Sequence, residues 1–485
     1  MRITDIEIKN FRAFPKPYHI NLHNTGKNLL VYGENGSGKS SLYLALKYFL
    51  ESGVAEDNTD SKNSEFENHQ NIFIQDPGYI KLSLRADRWS KKDTYEWSQR
   101  VKGETNDELI TEASKSKGFL DYRDLLETHY LDRKNETVNL FDLLVKTLLA
   151  NTVNPLTDRS LSEDWDNIQE PYPYRNAKNQ IADLKRRVDI FNDELVNRLA
   201  ELHPTASEIL HKFGYNIAID FNPKRVTYNP DEKTLDNQEI LLKVEFFDTE
   251  LPSHHRFLNE AKLSAIAIAI YFSSILLQPQ SDLKILALDD VLIGLDMSNR
   301  LPVLDILEKY FIKKDYQIFL TTYDKAWYET AKQHTSHSGK WKTVEFYFSE
   351  TDEYEMPVYV ENKAYLDKAK EYFEANDYKA CVIYVRTAFE AIIEGFCESK
   401  HLPVRYHRNP NKQDSKHFWN AIIIENKRRV EKQNPALLDQ RLINKIELYR
   451  SRILNPLSHA NIVNIYKKEI EDAIKAVEEL KAALA

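Results

Sequence analysis

The chain has 485 residues, 42% hydrophobic and 29% charged. That is enough for roughly two to four domains around large cores, and it excludes collagen-like, mucin-like and wholly disordered classes. The net charge of −9 argues against indiscriminate nucleic-acid binding by the whole chain, while leaving a local basic patch open. Two cysteines, Cys381 and Cys397, can form neither a disulfide framework nor a Cys-based zinc site.

The opening MRITDIEI holds acids and no apolar core, so it does not read as a signal peptide. The longest apolar runs, near Ile266–Leu277 and Leu283–Leu288, are shorter than a bilayer span. A cytoplasmic protein with no membrane contact is expected. Charge is uneven. Residues 361–485 carry 22 Lys/Arg against 18 Asp/Glu, and the first 360 carry 44 against 57. Two modules with different partners are therefore expected.

In chain order, Ile3, Ile6 and Ile8 followed by Phe11 predict a strand and a turn. Leu29 to Tyr32 predict a buried strand ending at Gly33, and Leu42 to Leu50 a helix. Glu51 to Gln75 is polar and reads as a loop. Strands are predicted at Tyr79–Leu84 and Thr94–Val101, then helical segments through Ala150. Ile181, Leu184, Val188, Phe191, Leu195, Leu199 and Leu202 form a single apolar stripe, which Pro204 should end or kink. That helix, over 178–203 inside a helical insertion of about 102–215, reads either as an amphipathic core helix or as a short coiled-coil arm for oligomerisation. Alternating segments follow at Ile217–Phe221 and Ile240–Phe246. Then come a helix at Glu260–Leu277, a strand at Lys284–Leu288, a helix after Asp296 and a strand at Gln317–Thr321. Alternating β and α elements predict an α/β head with a mostly parallel sheet. Beyond Tyr365 the pattern is all-α, with two helices joined near Asn376.

GENGSGKS, Gly33 to Ser40, matches G-x-x-x-x-G-K-[ST] between a predicted strand and a predicted helix. Gly33, Gly36 and Gly38 let the backbone aim its amides at phosphate oxygens, with Glu34, Asn35, Ser37 and Ser41 completing the loop. Lys39 is placed against the terminal phosphates, and Ser40 offers a hydroxyl to Mg²⁺. ATP and Mg²⁺ are the implied ligands. KILALDD ends an apolar strand with two acids, Asp289 for the Mg²⁺ shell and Asp290 to orient or deprotonate the attacking water.

ITDIEIKNFRAF, GENGSGKSS, FLNEAKLSAIAIAI and LALDDVLIGLD, in this order, resemble the ABC-type P-loop ATPase heads of the SMC, RecF and OLD group over residues 1–350. The resemblance implies a nucleotide sandwiched between the phosphate loop of one head and the signature loop of another. That signature would be Leu258, Asn259, Glu260, Ala261 and Lys262, where the family's usual Leu-Ser-Gly-Gly-Gln has lost its serine and both glycines. Asp296 would be the D-loop aspartate. Tyr323 stands at the switch-histidine position, and a phenol is a poorer proton acceptor than imidazole. With Asp290 in place of the usual Glu, slow hydrolysis or use of ATP as a clamp is expected. Gln70 and Gln75 are both candidates for the glutamine loop.

In the C-terminal module, 361–485, the stretch from Lys400 to Arg452 holds 13 Lys/Arg against 5 Asp/Glu, with His401, His407 and His417 and the aromatics Tyr406, Phe418 and Trp419 interleaved. It reads as a solvated surface or as a footprint for nucleic acid or an acidic protein. RILNPLSH, with Arg452 and His459, is similar to the Arg-x(4–6)-His motif of HEPN ribonucleases, departing from it at Pro456 and directly after Arg452. That implies a HEPN-like helical module, preferred here as inactive. The whole combination is similar to the ATPase subunit of PARIS anti-phage systems. This implies a homo-oligomeric sensor and scaffold that holds a separate TOPRIM-type nuclease until a phage protein, expected to be acidic, triggers its release. The competing readings are an ATPase-regulated HEPN ribonuclease and a RecF/SMC-like DNA-repair ATPase.

Overall fold

The computed structural model describes residues 1–53, 66–100, 104–116, 118–129, 137–169, 178–336, 338–350, 354–361, 365–405, 414–454 and 467–484. It divides into two compact units, Met1–Glu361 and Asn362–Ala485. The predicted loop's residues 54–65, the end of the predicted strand at Val101, and Tyr406, His407, Arg408, Lys412, Pro456 and His459 lie outside the described residues.

The first unit is built on a six-stranded sheet. Its order is Glu355–Glu361, Trp341–Glu350, Asn28–Gly33, Gln317–Thr322, Ile285–Asp289 and Phe119–Asp121. The first pair is antiparallel and every other neighbouring pair parallel. Parallel strands are covered on both faces, which is why they read as unbroken apolar runs. Ile285 and Ala287 enter one core and Leu286 and Leu288 the other.

The first core lies beneath a four-stranded antiparallel sheet ordered Tyr18–Asn21, Arg2–Lys9, Tyr79–Arg85 and Asp93–Ser98. Ile3, Ile6 and Ile8 meet Leu42, Leu46 and Phe49 of the Lys39–Glu51 helix there. The second core is centred on the Glu260–Leu277 helix. By length and composition that helix could cross a membrane, but 78% of it is buried inside the protein. Its apolar surround is supplied by the fold.

Four expectations need correction. The Lys178–Lys212 helix does not end at Pro204 but continues past it, for 35 residues in all, about 50 Å. Its stripe continues past the proline at Ala206, Ile209 and Leu210, so packing on both sides outweighs the lost hydrogen bond. It is not an arm, because Leu184, Val188, Phe191, Leu195, Leu199 and Leu202 all lie in the second core of this same chain. The insertion is not wholly helical either, because Phe119–Asp121 adds the edge strand of the central sheet. The first unit ends at Glu361 rather than at 350, since Glu355–Glu361 pairs with Trp341–Glu350.

Among the described residues the regular elements of the second unit are all helical: Tyr365–Glu374, Tyr378–Ser399, Ser415–Glu431, Gln440–Tyr449 and Lys467–Leu484. Asn376 takes φ +60° and the Asp377 carboxylate accepts the Ala380 N–H at 3.0 Å, which breaks and recaps the chain at the predicted joint. Cys381 and Cys397 are buried on one helix, and burial pushes both thiols up to about 11.

Candidate functional site

The phosphate loop leaves the central strand at Gly33 and enters its helix at Lys39. Gly36 and Gly38 have φ of +84° and +96°, the left-handed region that glycine occupies without cost. A Cβ on Gly33 would stand 2.3 Å from Ser37 Oγ, and one on Gly38 would stand 2.8 Å from the Pro357 ring. Side chains would therefore fill the cradle. The helix start has no side-chain cap, so its first amides are available to an anion. Ser37 Oγ is buried without a hydrogen-bond partner, a costly condition unless an acceptor or donor completes it. Lys39, 5% exposed, donates to the carbonyls of Gly33 at 2.8 Å and Glu34 at 3.1 Å, and its ammonium lies 3.6 Å from the Asp290 carboxylate. Glu34, Asn35, Gly36 and Ser40 are exposed. Ser41 Oγ accepts the Ala13 N–H at 3.4 Å, tying the loop's helix to the turn after the first strand.

At the neighbouring strand ends the two acids differ. Asp289 is buried and accepts the Thr321 hydroxyl proton at 2.6 Å. Asp290 turns out of the strand with φ +52°, a conformation in which Asp is enriched. Its N–H donates to Thr321 Oγ1 at 3.2 Å, and its Oδ1 accepts the Tyr323 N–H at 2.9 Å. Burial raises its pKa above the usual aspartate value, against the Lys39 charge and with that of Asp289. A carboxylate raised in this way is a stronger proton acceptor. Tyr323 reaches Asp290 through its amide, and its side chain is exposed.

Asn259 caps the Glu260–Leu277 helix, its Oδ1 accepting the Lys262 N–H at 3.1 Å. Asn259, Glu260, Ala261, Gly294, Asp296, Arg300 and Asp324 line one polar concavity of about 530 Å³. A Cβ on Gly294 would meet Ser264 Oγ at 2.1 Å, so the turn that carries Gly294 lies directly on the Glu260–Leu277 helix. Phosphate-loop residues Gly36 and Ser41 line a different cavity, of about 700 Å³, with Arg12, Gln70, Phe73, Tyr354 and Pro357. The phosphate loop and the Asn259 concavity thus line separate surfaces of one chain.

Gln70 lines the phosphate-loop cavity, and Gln75 does not. Neither sits at the end of a central strand. At the end of the edge strand beside Ile285–Asp289 stands Asp121, which pairs in register with Asp289 and which sequence reasoning missed. Its signal was faint, a three-residue strand after Gly118, where a Cβ would strike the Ile285 carbonyl at 1.9 Å. Beside it Asp124 is pushed up to about 6 by burial. The Tyr43 phenol is buried without a partner, its pKa raised by burial and then by the charges of Asp124, Asp121 and Asp289.

The residues fit a triphosphate with Mg²⁺. Amides and Lys39 suit phosphate oxygens, and the Ser40 hydroxyl with Asp289 suits a cation that keeps waters and phosphate as its other ligands. Among the described residues no group of three or more His, Cys, Asp and Glu could hold a metal alone.

In the second unit the basic run is partly neutralised. Arg428 and Arg429 bind Glu425, Lys445 binds Glu479, and Arg452 binds Glu469 at 2.7 Å. Arg450 is buried, its guanidinium 5.3 Å from the centre of the Phe389 ring.

A family model described as an AAA domain matches residues 5–213. No curated protein matches. Among solved structures, the chain is similar to an Smc head bound to the C-winged helix domain of ScpA (14% identity, 75% of this chain and 99% of that one, TM-score 0.43). It is also similar to an Smc head with an extended coiled coil bound to the C-terminal domain of ScpA, derived from Pyrococcus furiosus (12%, 78% and 99%, TM-score 0.41). A third is the SMC head domain from Thermotoga maritima (14%, 74% and 100%, TM-score 0.32). The chain carries an α/β unit with a G-x-x-x-x-G-K-S loop between strand and helix, followed by a unit whose described residues are helical.

Proposed function

We propose that this protein binds ATP with Mg²⁺ and hydrolyses it slowly, in a site completed by a second copy of the chain. One observation carries the reading. Lys39 meets Asp290, next to Asp289, at the C-terminal ends of interior strands of the sheet, while Asn259 and Asp296 line another surface. Bound nucleotide supplies the phosphoryl group, and Mg²⁺ supplies charge neutralisation. The chain's own residues do the rest. Loop amides and Lys39 hold phosphate oxygens, Ser40 and Asp289 hold the cation, Asp290 accepts the proton of the attacking water, and a partner's Asn259 closes the site. Asp290 is one methylene shorter than glutamate and no imidazole stands at Tyr323, which supports slow turnover.

Complementation tests the arrangement. Lys39→Ala and Asn259→Arg chains should each be inactive alone. Mixed, they should regain ATPase activity, because a heterodimer rebuilds one intact site. Two inactive chains that stay inactive when mixed, while forming dimers, would refute the composite site.

We further propose that the head serves as a sensor and scaffold in anti-phage defence. In this role it holds a separate TOPRIM-type nuclease until an acidic phage protein engages the second unit. The resemblance of the motifs and the surplus of Lys/Arg over 400–452 support it. Lys39→Ala should abolish protection in plaque assays, and full protection by that variant would sink the idea. The ribonuclease alternative has less support, since Arg452 is already engaged by Glu469. The DNA-repair alternative predicts salt-sensitive DNA binding that ATP strengthens.

A further inference from the structure

Arg300 lies in the Met297–Ile306 helix, just after the D-loop turn, with its side chain only 11% exposed. A buried guanidinium requires partners, and it has two. Its Nε–H donates to the Leu295 carbonyl at 2.8 Å, inside the D-loop turn. Its Nη1 donates to Asp324 Oδ2 at 2.6 Å. Asp324 is itself fixed: its Oδ1 accepts the Trp327 N–H at 3.0 Å, and its own N–H donates to Thr322 Oγ1 at 3.1 Å. The residue before it, Tyr323, gives its amide to Asp290. One guanidinium therefore spans the turn that carries Leu295 and the segment whose Tyr323 amide binds Asp290. A second thread reaches the same helix from the signature. Lys262, whose N–H is capped by Asn259, sits 5.3 Å from the centre of the Tyr215 ring, and the Tyr215 hydroxyl accepts the Asn299 side-chain N–H at 2.7 Å.

We propose that Arg300 is a positioning residue: through Asp324 and the Tyr323 amide it holds Asp290 in its reactive orientation, and it links the D-loop turn to the hydrolytic centre of the same head. This rests on the ATPase reading above. Contact of a partner's nucleotide with the signature and D-loop would then bias the chain's own site, so that the two nucleotides of a pair are coupled. A bidentate fork suits this role, whereas a point cation at this place can serve one acceptor well but not both.

The test separates the clamp from the ATPase reading by using two kinds of measurement. The first is amide hydrogen exchange of the full chain without added nucleotide, in wild type, Arg300→Met, Arg300→Lys and Asp324→Asn. Loss of the clamp should speed exchange about tenfold or more in peptides covering Leu292–Asp296 and Thr321–Trp327, and leave Asn28–Gly33 unchanged, because local opening is confined to the released segment. The second is kinetics. Arg300→Met and Asp324→Asn should each lower kcat about tenfold or more with KM within about threefold, the pattern of an interaction used only in the transition state. The double variant should be no worse than either single one, and Arg300→Lys should fall between. Unchanged exchange in both segments, additive losses in the double variant, or a rise in KM matching the loss in kcat would overturn the proposal. A wild type that does not bind ATP would sink the ATPase reading alone, and the exchange data would still decide whether the clamp exists.

Discussion

Lys39 and Asp290 face each other at 3.6 Å, one from the phosphate-loop helix and the other directly after Asp289 at the end of its strand. The ammonium that would grip a phosphate is also the cation that favours the ionised form of the proposed proton acceptor. A triphosphate would compete with Asp290 for Lys39 and free the carboxylate for water. Binding and readiness for hydrolysis are joined in this one pair.

Asp290→Asn should therefore retain MgATP binding and lose turnover by about a hundredfold or more, since a positioned general base contributes about 10²–10⁴-fold. In the wild type, burial raises the Asp290 pKa. The base works ionised, so kcat should fall as pH drops through that raised value, above the range of an ordinary aspartate. A pH profile flat down to pH 4 would exclude Asp290 as the base.

Gly38→Ala should remove nucleotide binding while leaving the fold. The residue must hold φ +96°, and a methyl group would lie 2.8 Å from Pro357. A left-handed residue with a Cβ costs about 1–2 kcal/mol, which a core of this size tolerates. Calorimetric titration with ATP, alongside a thermal melt, measures both consequences.

Phe191→Ala should destabilise the first unit by about 3–5 kcal/mol, the usual loss for a buried phenylalanine, because this side chain is fully buried against Phe141 and Trp165. Denaturant unfolding measures the loss. A helix that served as an oligomerisation arm would instead give a normally stable protein with an altered sedimentation profile.

Asp124 offers a pH test of the edge-strand corner. Its folded pKa is raised to about 6 by burial. The ionised form is the costly one, so its penalty is absent below the unfolded value near 4 and grows as pH rises through about 6. Asp124→Asn, which keeps an oxygen to accept the Asp121 N–H in the local capping box, should raise the melting temperature more at pH 8 than at pH 4. Equal shifts at both values would refute the burial penalty.

The phosphate loop and the paired acids were legible in the residues because each depends on local chemistry. Glycine must occupy positive φ, a loop between strand and helix must present amides, and an apolar strand must end in carboxylates where it meets water. Strand and helix identities followed from periodicity for the same reason. The Ile181–Leu202 stripe showed that a helix buries one face, but not what that face meets. Only the tertiary structure placed it in the chain's own core, and only that packing carried the helix through Pro204. Asp121 was invisible because a three-residue strand has no period. It gains its place from pairing with Asp289, more than 160 positions away. Arg300 was one cation among 66 Lys/Arg until folding brought Leu295 and Asp324 to opposite ends of its guanidinium. Local rules fix which groups the chain carries, and long-range burial fixes which of them meet.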